Sequence, residues 1–111
     1  MEVTDSNRDG VTIVEPHGRI DTAGAKPFGE RVTELIRSGS HRMVIDFQHI
    51  KYVSSAGFRP LLIAAKMIED ANGKLVLCGM SPDLLRLFDI GKFTNLFMIC
   101  GTRDESVEKA K

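Results

Sequence analysis

The sequence predicts one α/β domain spanning residues 1–111, with a mixed, mostly parallel sheet of about five strands and about four helices. Three observations carry that expectation. Short apolar runs alternate with segments whose apolar residues recur at helical spacing, in the order β-β-α-β-α-β-α-β-α. The runs Met43 to Phe47, Lys74 to Cys78 and Leu96 to Cys100 are nearly continuous, as in strands covered on both faces. Near the start, Asp9-Gly10 sits between two extended segments and signals a tight hairpin, hence one antiparallel edge.

The elements follow in order. Gly10 to His17 alternates, with Val11, Ile13 and His17 on one side, and reads as a strand that Gly18 interrupts. Phe28, Val32, Leu35 and Ile36 then recur at helical spacing. Thr22 or Ala23 is a candidate start and Ser38-Gly39-Ser40 the stop, but Gly24 and Pro27 weaken the first turn, so the regular helix is expected from about Pro27. After the Met43–Phe47 strand, Gln48 to Ser54 reads as a loop. Ala56 to Ala71 carries a broad apolar stripe including Phe58, Leu61 and Leu62, and Asn72-Gly73 ends that helix. Ser81-Pro82-Asp83 has the grammar of a helix start, and Gly91 that of its end. Thr102 to Glu105 fits a capping box opening a last short helix.

Composition excludes several function classes. Hydrophobic residues make up 42% and charged residues 27%, an ordinary globular profile, and the formal net charge is zero. A balanced charge argues against a nucleic-acid partner, whose phosphates demand a basic surface. No run of Lys or Arg suits an anionic membrane, and no stretch is long and apolar enough to span one. Cys78 and Cys100 each end an apolar run and read as buried hydrophobes. With a polar start and no export signal, a cytoplasmic location is expected. No apolar stripe is expected to remain once helices cover the sheet, so a monomer is expected.

Catalytic patterns are also missing. Ser54-Ser55-Ala56-Gly57 lacks the leading glycine of a nucleophile elbow, and Gly91-Lys92-Phe93-Thr94 lacks the rest of a phosphate-binding loop. Asp21 and Asp46 stand singly, unlike the acidic cluster of a phospho-accepting receiver. No His, Cys, Asp or Glu group has metal-ligand spacing along the chain. The expectation is therefore a binding protein with no catalytic residue, no metal and no cofactor.

The informative stretch is Tyr52 to Gly57. Two hydroxyls, Ser54 and Ser55, fall where a buried strand's outgoing segment becomes a helix, the edge of an α/β sheet where sites usually lie. A helix cap accounts for one of them; the other is left at a helix N-terminus, beside the small residues Ala56 and Gly57.

These residues carry a resemblance. Val44-Ile45-Asp46-Phe47, Tyr52 to Arg59 and Leu61-Leu62 closely resemble the STAS domain of bacterial anti-sigma factor antagonists. Gly18-Arg19-Ile20-Asp21 looks like that family's element before the first helix. Asn72 to Leu77, Ser81-Pro82, Leu87-Phe88 and Phe93 to Phe97 extend the match over nearly the whole chain. The resemblance implies binding to an anti-sigma factor that is also a serine kinase, which frees a sigma factor. It implies phosphorylation of a serine at the start of the second helix, which ends binding, and a serine phosphatase that reverses it. Aligned through Gly57, the acceptor falls on Ser55. Ser54 occupies the position where the family carries Asp, and it is a second candidate. Asp21, Ser54, Ser55, Ala56, Gly57, Phe58 and Arg59 are the expected partner surface, with Asp21 read either as a contact or as a local helix cap, and Phe58 either as a contact or as core. The alternative is a STAS scaffold or adaptor, never phosphorylated, in a signalling or lipid-transport complex.

Overall fold

Residues 1–111 are described by a computed structural model. The hairpin forms as its turn chemistry requires. Strand β1 (Glu2–Arg8) pairs antiparallel with β2 (Val11–Ile20), and Asp9 and Gly10 between them have φ of 56° and 83°. Two successive residues at positive φ match the right-handed twist of the flanking strands. After helix α1 (Thr22–Arg37), β3 (Arg42–Asp46) runs parallel to β2. Strand β4 (Ile50–Val53) leads into helix α2 (Ser55–Asp70), and β5 (Lys74–Cys78) follows, parallel to β3. Helix α3 (Pro82–Ile90), a single 3-10 turn at Phe93–Asn95, strand β6 (Met98–Cys100) and helix α4 (Arg103–Ala110) complete the chain. The strand order is β1-β2-β3-β5-β6, with β4 also paired to β2.

Three details depart from expectation. The segment read as a loop contains a sixth strand. β3 pairs with Thr12–Val14 of β2 and β4 with Gly18–Ile20, so the two lie end to end along one long strand, with a register shift at Gly18/Arg19. Helix α1 starts at Thr22, five residues before Pro27, because Asp21 caps it: the Gly24 N–H donates to Asp21 Oδ1 at 3.0 Å. Gly24 is needed there, since a side chain would meet the Arg19 carbonyl oxygen at 2.5 Å. Apolar side chains also stay out near the β6 edge, where Ile90 is 72% and Leu96 60% exposed. The caps read from sequence are as expected: Leu84 N–H donates to Ser81 Oγ at 3.1 Å, and Glu105 N–H to Thr102 Oγ1 at 3.2 Å.

The sheet separates two cores. The larger packs under α1, α2 and α3 and includes Phe28, Val32, Phe47, Leu61, Leu77 and Phe88. The smaller joins Val11, Ile13, Val44, Val76, Cys78 and Cys100 to Val107 and Ala110 of α4. Both thiols are free and buried, and burial pushes the Cys78 thiol up to about 11. They pack as small hydrophobes.

Candidate functional site

Backbone pairing assembles the site. Ile20 and Val53 are partners at the ends of β2 and β4, so the next residues, Asp21 and Ser54, emerge side by side. The Ser54 N–H donates to the Ile20 carbonyl at 3.0 Å. Asp21 caps α1 and Ser54 caps α2, which brings two helix N-termini to one corner of the molecule. Each terminus carries orphan N–H groups and the positive end of a dipole, so the corner favours an anion.

The two serines divide the roles that the sequence left open. Ser54 is the cap: its Oγ accepts from the Gly57 N–H at 3.3 Å and donates to the Ile20 carbonyl at 3.4 Å. Ser55 is the first helical residue of α2 and stands exposed. Ala56 and Arg59 are exposed beside it. Arg59 lies four residues on, hence on the same helix face as Ser55.

Gly57 and Phe58 turn inward. Gly57 was expected in the partner surface; its smallness is used against the sheet instead. A methyl group there would overlap the Ile20 carbonyl oxygen and lie 2.9 Å from both Ile20 Cγ2 and Val53 Cγ1. Phe58 is 8% exposed. Its ring stacks on Phe93 at 4.2 Å and meets Phe88 edge-on at 4.8 Å, aromatic pairs worth about 0.5–1.5 kcal/mol each beyond the area they bury. It belongs to the core rather than the contact surface. Leu62, expected in the apolar stripe, is 38% exposed instead.

Several surface residues were not singled out in the sequence. Arg19 lies over the Tyr52 ring at 4.8 Å and approaches Asp21 Oδ2 at 4.0 Å, forming a charged rim beside Ser54. Below Ser55, α1 and α2 enclose a groove of about 770 Å³, lined by Lys26, Glu30 and Arg37 on one side and Ala56, Arg59 and Ile63 on the other. The helices approach closely because Gly29 faces Pro60. The facing of Lys26 and Glu30 toward α2 depends on that approach, which no local pattern encodes. Asp46, considered and set aside as a phosphate acceptor, is 3% exposed and tied up: it accepts from Arg103 Nε at 2.9 Å and from the Gln48 N–H at 3.0 Å.

An α/β domain with two capped helix N-termini converging on a Ser-Ser-Ala-Gly turn is the build of one known class. The STAS domain model matches residues 3–110, and the chain belongs to the STAS domain family. Within it, the chain stands with the anti-sigma factor antagonists. It is 30% identical over 111 residues to the candidate antagonist BtrV of Bordetella bronchiseptica, covering 100% of this chain and 96% of that protein. The fold superposes on a candidate anti-sigma factor antagonist from Thermotoga maritima with a TM-score of 0.91 at 17% identity, covering 97% and 93% of the two chains. It also matches the phosphorylated form of the Bacillus cell fate determinant SpoIIAA, with a TM-score of 0.74 at 15% identity over 99% and 100% of the chains. No helix is long and apolar enough to cross a membrane.

Both caps carry a testable cost. Ser54→Ala and Asp21→Ala should each destabilise the fold by about 1 kcal/mol, the usual effect of losing a side-chain cap. Urea denaturation measures this. A loss in Asp21→Ala equal to that in Ser54→Ala identifies Asp21 as a cap, whatever it also does at the surface.

Proposed function

We propose that this protein is an anti-sigma factor antagonist that binds an anti-sigma factor with serine kinase activity, and that phosphorylation of Ser55 ends the binding. The observation that carries this reading is the division of labour between the serines. Ser54 is occupied in holding the α1 and α2 corner together, whereas Ser55 is exposed and its Oγ has no partner in the chain. A kinase can reach Ser55 without opening the helix.

The binding surface in this reading is Asp21, Ser54, Ser55, Ala56 and Arg59, extended by Arg19, Tyr52 and the α1–α2 groove. Gly57 shapes the backbone beneath it. The domain acts as a regulatory binding protein rather than an enzyme, works as a monomer in the cytoplasm, and a serine phosphatase restores the binding form. One relative by fold, SpoIIAA, is known in a phosphorylated form, which supports a switch by phosphorylation.

Incubation with ATP and the cognate kinase, followed by peptide mass spectrometry, tests the assignment. The phosphate should appear on Ser55, and Ser54→Ala should still be labelled. Label on Ser54 in the wild type, retained in Ser55→Ala, moves the switch by one residue. No label on either serine favours the scaffold reading.

A further inference from the structure

On the α4 side of the sheet lies a group of side chains that the Ser55 switch does not use. Glu15 and His17 share one face of β2, two residues apart. His49 arrives from the turn between β3 and β4, and its backbone carbonyl accepts from the Gly18 N–H at 3.0 Å. The imidazoles of His17 and His49 stack with centroids 4.6 Å apart and planes within 9°. Both Nε2 atoms face one carboxylate oxygen: His17 Nε2 is 3.5 Å and His49 Nε2 3.8 Å from Glu15 Oε1. The expectation that no group has ligand spacing holds along the chain only. In space, three ligand atoms lie within 4.8 Å of one another.

We infer that Glu15, His17 and His49 form a binding site for a divalent transition-metal ion of the Zn²⁺ type, with water completing the coordination. Two imidazoles and one carboxylate suit Zn²⁺, whereas Mg²⁺ demands a near-complete oxygen shell. Ligands about 2.0–2.2 Å from a tetrahedral ion are separated from each other by roughly 3.3–3.6 Å, so the 3.5 Å separation of His17 from Glu15 already fits and the 3.8 Å separation of His49 needs to close by only a few tenths of an ångström. The ring planes are within 9° of parallel, so the imidazoles must tilt toward each other for both Nε2 lone pairs to meet one ion.

The surroundings fit that role. The second oxygen of Glu15 is held by Arg103 Nη2, and Arg103 is itself held by buried Asp46. That fixes the carboxylate and leaves Oε1 turned toward the histidines. Glu2 Oε1 lies 4.0 Å from His17 Nδ1, where an outer carboxylate orients a metal-bound imidazole. The side chains are 19%, 32% and 47% exposed in the order Glu15, His17, His49, so an ion can enter from solvent. The Gln48 side-chain amide, 3.2 Å from His49 Nε2, turns aside when the metal binds. The site clamps β2 to the β3–β4 turn.

The test uses the full chain without a histidine tag. Calorimetric titration with ZnCl₂ should show one ion bound per chain, and MgCl₂ should give no signal. Loss of even an outer-shell group weakens metal sites by about 10–100-fold, so His17→Ala and His49→Ala should each lose at least that much. His41→Ala, at the one histidine outside the group, should bind as the wild type does. Histidine-selective NMR on the wild type needs no variant: Zn²⁺ should shift the ring signals of His17 and His49 and leave those of His41 in place. Absent binding, binding unchanged in the His17→Ala/His49→Ala variant, or shifts confined to His41 would overturn the inference.

Discussion

Ser55→Asp should weaken binding to the cognate anti-sigma kinase about a hundredfold, a loss of ~2.7 kcal/mol, while leaving the fold intact. The two effects separate because the same charge meets different surroundings. Toward its own chain, a charge at Ser55 sits at the first helical position of α2, beside the N-terminus of α1 and on the face of Arg59. Helix dipoles, free N–H groups and a cation four residues away all favour an anion there. The melting temperature should therefore hold or rise slightly. Toward the partner, the surface that accepted a neutral hydroxyl must desolvate the charge or clash with it. A phosphoserine adds about −1.5 to −2 charges and three acceptor oxygens, so the authentic modification should weaken binding further than Asp does. Ser55→Ala should bind normally and be deaf to the kinase. Calorimetry against the kinase with and without ATP, beside thermal melts of the same samples, reads both quantities. A Ser55→Asp chain that binds at full strength would remove the switch from this residue. One that unfolds would mean that the corner does not tolerate an anion.

Gly57→Ala should be the most damaging single-methyl change at the site, lowering stability by about 3 kcal/mol, the upper end of the overpacking range. For a domain of this size that is a melting-temperature drop on the order of 10 °C. The added methyl meets backbone, the Ile20 carbonyl, and two branched side chains, Ile20 and Val53, that are fully packed. None of them can swing away as the end of a long side chain would. Moving α2 outward to make room would stretch the bonds from Ser54 to Ile20 that hold both caps at one corner. Ser55 phosphorylation should slow in the same variant. Gly101→Ala is the matched control, since nothing lies within 4 Å of a methyl there. Urea denaturation of the two variants decides the point: equal midpoints would mean that α2 does not approach the sheet as closely as described.

Features legible in the sequence are those whose causes act within about four residues. Asp9-Gly10 made a hairpin because both residues tolerate positive φ. Ser81 and Thr102 capped helices because a hydroxyl at that position reaches an N–H three residues on. Apolar period separated strands from helices, and the order of those periods carried the α/β class. The Ser54–Ser55 pair at a strand-to-helix boundary marked the candidate site for the same reason, although which serine was the cap stayed open.

Tertiary structure decided what depends on surfaces that arrive from elsewhere. Ile50 to Val53 became a strand because β2 is ten residues long and extends past the end of β3, offering unpaired backbone to a second parallel neighbour. The apolar stripe of α2 left Phe58 open as core or contact, and Phe88 and Phe93 decide for core by closing over it. Gly57 is glycine because the Ile20 carbonyl passes beneath it. Glu15, His17 and His49 meet because strand register, not sequence spacing, sets β2 beside the turn that precedes β4. A cap or a turn satisfies its own backbone and can be read locally. Burial, ligand geometry and close approach are properties of two surfaces together, and only the packed fold determines which two surfaces those are.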